Sequence, residues 1–229
     1  MESHSLNRLS RLHRSQLPSP PRYWRDLNTY IHGDGFRAAA RAKYSTLKQK
    51  GTWNAVKLDL IKGAQVLPVM WVFTYKFDKG GHLLKYKARL VARGDLHINQ
   101  REETYAATLA ARVFRSLMAI AAHFNLDIHQ LDAINAFINI ELDEVVHIAY
   151  PDGFEDHGHV LYLKRALYGL PRSPLLWFNH LSNTVAKLGL KPVPKCACPF
   201  SLNHLVVFFY VDNICILSHP RHRNKYKAF

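Results

Sequence analysis

Two apolar runs in this chain each end abruptly on an acid: Ile128-His129-Gln130-Leu131-Asp132 and Phe208-Phe209-Tyr210-Val211-Asp212. Carboxylates delivered by a strand end or a hairpin tip can be aimed into one cleft. Gathered there, they suit Mg2+, a hard cation that takes oxygen ligands. Read alone, Asp212-Asn213 is equally a good hairpin turn, because both residue types tolerate positive φ. A second group is cationic. Lys85, Lys87, Arg89 and Arg93 share one sequence parity, so on an extended strand all four leave the same face. Solvation is the ordinary reason for such a face, and phosphate contact is the alternative. Cys196, Cys198 and His204 form a third group. Their spacing lacks a Cys-x-x-Cys clip, so small side chains buried on a strand are expected rather than zinc.

The elements that position these groups follow from periodicity. From Trp24 to Lys50, Phe36, Ala39, Ala40, Tyr44 and Leu47 recur at helical spacing, and Arg37, Arg41, Lys43, Lys48 and Lys50 supply the wet side. Gly51 stops that helix. Val66 to Phe77 and Leu83 to Val91 read as strands joined by Asp78-Lys79-Gly80-Gly81, a hairpin that carries the basic face. Ala106 to His123 reads as a second helix with Leu109, Val113, Leu117, Ile120 and Ala121 inward. A strand from Leu126 to Leu131 then delivers Asp132, a helix spans about Pro174 to Leu188, and a hairpin from Leu205 to Leu217 turns at Asp212-Asn213. Helices and strands mix without regular alternation, so the expected class is α+β.

Composition narrows the function classes. The longest apolar run, Leu205 to Val211, has seven residues, well short of the roughly 18 that a membrane helix needs. Lys plus Arg number 31 against 17 Asp plus Glu, a net charge of +14. Such a surplus points to a polyanionic partner, nucleic acid before a membrane surface. Three cysteines make no disulfide framework for 229 residues. An intracellular location, cytoplasm or nucleus, is expected rather than secretion. Residues 1–22, rich in Ser, Arg, His and Pro, read as a flexible basic lead-in to a folded body at 23–229.

Five segments together resemble a known family. Tyr210-Val211-Asp212-Asn213 is similar to the Tyr-x-Asp-Asp box of reverse transcriptases. Trp71 to Asp95 (WVFTYKFDKGGHLLKYKARLVARGD), Glu103 to Ala122 (ETYAATLAARVFRSLMAIAA), His129 to Phe154 (HQLDAINAFINIELDEVVHIAYPDGF) and Leu161 to Phe178 (LYLKRALYGLPRSPLLWF) resemble its copia-type branch. That branch is the polymerase of long-terminal-repeat retrotransposons, and the wording is nearest to copies from fungal genomes. The segments keep the family's order and spacing. A four-residue box is weak alone; an ordered set running from Leu17 to the last residue is not.

The resemblance implies a right-hand polymerase fold, with fingers and palm in this sequence. It implies RNA-directed DNA polymerase (nucleotidyltransferase) activity on an RNA template and DNA primer with deoxynucleoside triphosphates. Other retrotransposon polyprotein products are implied partners, and no membrane is. Asp132 and Asp212 match the metal-binding aspartates and would hold two Mg2+ ions. Phe137, five residues after Asp132, matches the ring that abuts the incoming sugar, though it reads equally as a core side chain. Tyr168 and Gly169 match the segment beside nucleotide and template. Lys87 and Arg89 are similar to the fingers residues that grip the triphosphate, with Lys85 and Arg93 for the nucleic-acid backbone.

The match departs from the family at named positions. Asn213 stands where the family has its third catalytic aspartate, so the cluster holds two carboxylates and an amide. Ile140 replaces a residue that is commonly small. The sequence stops at Phe229, before the family's thumb and ribonuclease H domain. These departures imply a truncated, degenerate copy, impaired or inactive as a polymerase. The alternative is a non-catalytic nucleic-acid-binding remnant of a transposable element.

Overall fold

Phe36, Ala40 and Leu47 fall on one helical stripe, and in the computed structural model, which describes residues 12–98 and 103–222, all three are fully buried. They belong to helix α1 (Gly33–Gln49). The helix starts later than the expected Trp24. Trp24–Asn28 forms a short 3-10 turn instead, and Gly33 follows so close to it that a Cβ there would lie 2.1 Å from the Leu27 carbonyl oxygen. Lys43 was expected on the wet side. It lies three residues after Ala40 and four before Leu47, on the buried stripe, and is half-buried.

The described residues form two units. The first draws on Met1–Gln100 and Glu141–Leu170. Its strands are β1 (Trp53–Lys57), β2 (Val66–Leu67), β3 (Val69–Phe77), β4 (Leu83–Ala92), β6 (His147–Ile148) and β7 (His159–Leu163). The expected first hairpin is present as β3–β4, but Val66 and Leu67 have left it for a sheet of order β1-β7-β6-β2. Pro68 separates them from β3, and proline has no N–H to give a ladder. The β3–β4 register runs from Val69↔Ala92 to Lys76↔Lys85. Pleating puts Trp71, Phe73, Tyr75, Tyr86, Ala88 and Leu90 on one face. The Phe36 ring sits 5.0 to 5.2 Å from those of Phe73, Tyr75 and Tyr86.

Part of the expected lead-in, residues 1–11, lies outside the described residues. The rest is held: Leu83 N–H donates to Leu12 O at 2.8 Å and Arg14 N–H to Gly81 O at 2.9 Å. The Tyr30 hydroxyl donates to the carbonyls of Pro18 and Ser19. Leu12, Arg14, Pro18 and Ser19 are thus hydrogen-bonded within the first unit.

The second unit draws on Arg101–Ile140 and Pro171–Phe229. It holds α2 (Ala111–His123), β5 (Asp127–Asp132), α3 (Ser173–Lys187), β8 (Lys191–Pro192), β9 (Pro199–Leu202), β10 (Leu205–Tyr210) and β11 (Asn213–Ser218). Its sheet has the order β5-β11-β10-β9-β8, all antiparallel. Helix α2 begins five residues later than expected and seats Leu117 and Ala121 on Phe208 and Leu217. Ile120, expected inward, is 44% exposed, because the stripe runs through 117 and 121 and leaves it to one side. Pro174 lies in the first turn of α3, where its missing N–H costs nothing. Cys198 is buried in the bend before β9 rather than on a strand. The architecture is mixed helix and strand, α+β as expected. Among the described residues no helix is long and apolar enough to cross a membrane.

Candidate active site

The five-stranded sheet brings the two acids of the second unit together. β5 pairs with β11 so that Asp132 lies directly opposite Asn213. Asp212 precedes Asn213 in the hairpin turn, and Ala133 N–H donates to the Asp212 carbonyl at 2.9 Å. One antiparallel ladder thus places Asp132, Asp212 and Asn213 side by side, although 80 residues separate the first two in the sequence.

The turn itself differs from the expected one. Tyr210 pairs with Asn213, so the central residues are Val211 and Asp212, and Asn213 already belongs to β11. Val211 has φ +54°, whereas Asp212 is not among the positive-φ residues. A two-residue hairpin with positive φ at its first central position ordinarily takes glycine there. A β-branched residue in that conformation costs roughly 1–2 kcal/mol. The indole N–H of Trp177, a buried side chain on α3, donates to the Val211 carbonyl at 2.6 Å.

Hydrogen bonds fix the amide at position 213. Gln130 Nε2 donates to Asn213 Oδ1 at 3.0 Å, and Asn213 Nδ2 donates to Asp212 Oδ1 at 3.3 Å. Gln130 lies two residues before Asp132, hence on the same strand face, a relation that alternation alone could have flagged. Carboxylate and amide oxygens are hard donors and suit Mg2+ in kind. Among the described residues no three His, Cys, Asp or Glu side chains gather at one point, so a third protein donor would be the amide oxygen. Phe137 is only 5% exposed, in the turn Ala136–Asn139, whose residues Ala136 and Ile138 are buried with it.

The cationic candidates belong to the first unit. Lys85, Lys87 and Arg89 leave one face of β4, and their partners across the ladder, Lys76, Thr74 and Val72, share that face. Arg93 does not join them. It lies beyond the strand in a turn, with its guanidinium on both carboxylate oxygens of Asp95 at 2.8 to 3.2 Å. That contact holds the Asp95 carboxyl below the usual range and raises the Arg93 guanidinium. Lys43 of α1, expected on the wet side of the helix, supplies a further cation. Burial lowers its pKa first, and the nearby charges of Lys87 and Arg89 lower it further.

Tyr168 and Gly169 also meet β4. Ala92 N–H donates to Tyr168 O at 2.8 Å. Gly169 has φ +93°, and a Cβ there would fall 2.0 Å from the Ala92 carbonyl oxygen. The close approach that requires glycine is therefore to the chain's own strand. The sequence-derived candidates divide between the units: Lys85, Lys87, Arg89, Arg93, Tyr168 and Gly169 in the first, Asp132, Phe137, Asp212 and Asn213 in the second.

Residues 50–225 match the family described as Reverse transcriptase (RNA-dependent DNA polymerase), and the chain belongs to that family. Its relatives are Pol polyproteins of copia- and Ty1-type transposons. It is 30% identical over 192 residues to the retrovirus-related Pol polyprotein from transposon TNT 1-94 of Nicotiana tabacum, covering 78% of this chain and 14% of that protein. It is 34% identical over 158 residues to that from transposon RE1 of Arabidopsis thaliana, covering 64% and 11%. The truncated transposon Ty1-A Gag-Pol polyprotein of Saccharomyces cerevisiae is 27% identical over 196 residues, covering 82% and 16%. The chain thus spans a small part of the length of these polyproteins.

Proposed function

We infer that the chain carries the polymerizing site of a copia-type reverse transcriptase, adding deoxynucleotides to a primer on an RNA template. The single observation that supports it most is the register that sets Asp132 opposite Asn213 and beside Asp212. In this reading the second unit is the palm and the β3–β4 unit the fingers. Asp132 and Asp212 would hold Mg2+, which would supply the positive charge that favours a primer 3′-alkoxide and a leaving pyrophosphate. On the first unit, Lys87 and Arg89 with Lys85 and Lys43 offer a positive surface suited to phosphate, and Tyr168 and Gly169 pack at the end of its strand β4. Phe137 walls the site against a ribose 2′-hydroxyl, so Phe137→Ala is expected to raise ribonucleotide incorporation.

Asn213 weakens this chemistry. Its amide brings no charge, and its oxygen already accepts from Gln130. A deficit of about 4 kcal/mol in transition-state stabilisation corresponds to about a thousandfold in rate. Primer extension on an RNA template with Mg2+, comparing the chain with Asn213→Asp and Asp132→Ala, tests the assignment. The expected order is Asn213→Asp above the unmodified chain, with Asp132→Ala at background. Equal extension by Asp132→Ala and the unmodified chain overturns it. The same amide favours a second reading, nucleic-acid binding without catalysis through the face of Lys85, Lys87 and Arg89. That reading predicts salt-sensitive binding indifferent to loss of Asp132.

A further inference from the structure

We propose that Trp177 is a positioning residue for Asp212: its indole N–H, by holding the Val211 carbonyl, keeps the hairpin turn in the left-handed conformation that sets Asp212 beside Asp132. The consequence for metal binding rests on the reading of Asp132 and Asp212 given above; the clamp itself does not. Three observations support it. Val211 adopts φ +54°, which its β-branched side chain disfavours. The contact that opposes relaxation comes from α3, 34 residues earlier in the chain, at 2.6 Å. And the turn it holds is the one whose next carbonyl, that of Asp212, accepts the Ala133 N–H and so ties the hairpin to the end of β5.

The indole is fixed in turn. Trp177 is buried and stacks on His180. It lines a small apolar cavity with Pro174, Phe178, Phe209 and Val211. The bond is part-buried and Val211 itself is 38% exposed, so the indole holds that carbonyl in competition with water, and the left-handed cost at Val211 is what drives the turn to relax when the donor is lost. Without the donor the turn gains by rotating Val211 back to negative φ. That rotation moves the peptide between Val211 and Asp212, and with it the carboxylate and the carbonyl that binds Ala133.

Hydrogen exchange at the Ala133 amide reads the turn directly, and Mn2+ affinity reads the carboxylates. Both are measured on the full chain, Trp177→Phe, Val211→Gly and the double variant. Trp177→Phe keeps a ring in the slot and removes the N–H. It is expected to lose about tenfold protection at Ala133, with amides in the middle of α3 unchanged. In the double variant glycine accepts the left-handed turn without the clamp, so protection returns. Val211→Gly alone stays as protected as the unmodified chain, and Mn2+ affinity follows the same order.

Unchanged protection in Trp177→Phe overturns the assignment. So does a loss that Val211→Gly fails to restore, since that would mark a packing role for the ring. If protection follows the expected order while Mn2+ binds the unmodified chain no better than Asp132→Asn, the clamp stands and the metal reading fails alone.

Discussion

The β3–β4 hairpin turns through Asp78, Lys79, Gly80 and Gly81, with the Asp78 carboxylate accepting the His82 N–H at 2.8 Å and a glycine at the one positive φ. The β10–β11 hairpin turns through Val211 and Asp212, with a β-branched residue at positive φ and no glycine. The first is relaxed at its tip, a two-stranded sheet whose support comes from α1 packed on its apolar face. The second is strained at its tip yet flanked by β5 and β9 within a five-stranded sheet. Disfavoured backbone persists where the surroundings over-determine it. Here the strained turn carries Asp212, and the relaxed one carries Asp78, whose carboxylate is taken up by the turn itself.

If that contrast holds, the first hairpin depends on packing from α1. An isolated two-stranded hairpin is marginal in water, and Phe36 is the fully buried ring that joins α1 to Phe73, Tyr75 and Tyr86. Phe36→Ala is expected to cost about 3–5 kcal/mol. Urea unfolding with exchange mass spectrometry should show β3 and β4 opening first. Persistent protection of both strands would mean that the ladder alone suffices.

Exchanging the turn residues sharpens the comparison. Gly81→Val puts a β-branched residue at φ +82°, with its Cβ 2.7 Å from His13 Nε2, and should cost about 1–3 kcal/mol. Val211→Gly is the opposite change. It relieves roughly 1–2 kcal/mol of left-handed cost and gives back part of that through the freer unfolded chain, leaving a gain of at most about 1 kcal/mol. Opposite signs in the shift of the urea midpoint support the contrast. Two losses would show that Val211 is unstrained.

Much of this was legible beforehand. The positions of Asp132 and Asp212 at the ends of apolar runs, and the cations of β4, follow from alternation, which is local. What was not legible depended on tertiary partners. The turn was expected at Asp212-Asn213 because Asn tolerates positive φ, and Val211 took that conformation where Trp177 holds its carbonyl. Arg93 shares parity with Lys85, but β4 ends at Ala92 and Asp95 captures the guanidinium. Gly169 reads as room for a ligand, and the strand occupies that room. In each case the residue type was informative, and the partner that decided its role lay elsewhere in the fold.

Lys43 gives the smallest effect and the finest test of the first hairpin's role. Its ammonium is held below the ordinary lysine pKa, chiefly by burial and then by Lys87 and Arg89. Between that lowered value and about 10.4, the unfolded chain binds the proton more readily, so stability rises with pH through the window. Lys43→Met keeps the apolar stem on α1 and removes the charge. It should therefore raise stability at neutral pH by under about 1 kcal/mol, with the gain vanishing above the unfolded lysine's pKa. If the β4 face meets phosphate, the same substitution weakens nucleic-acid binding and flattens its salt dependence by about one counterion. A stabilised variant with unchanged binding would confine Lys43 to the packing of α1. A variant destabilised at neutral pH would show that partners within the unit hold the half-buried ammonium more strongly than burial and the like charges oppose it.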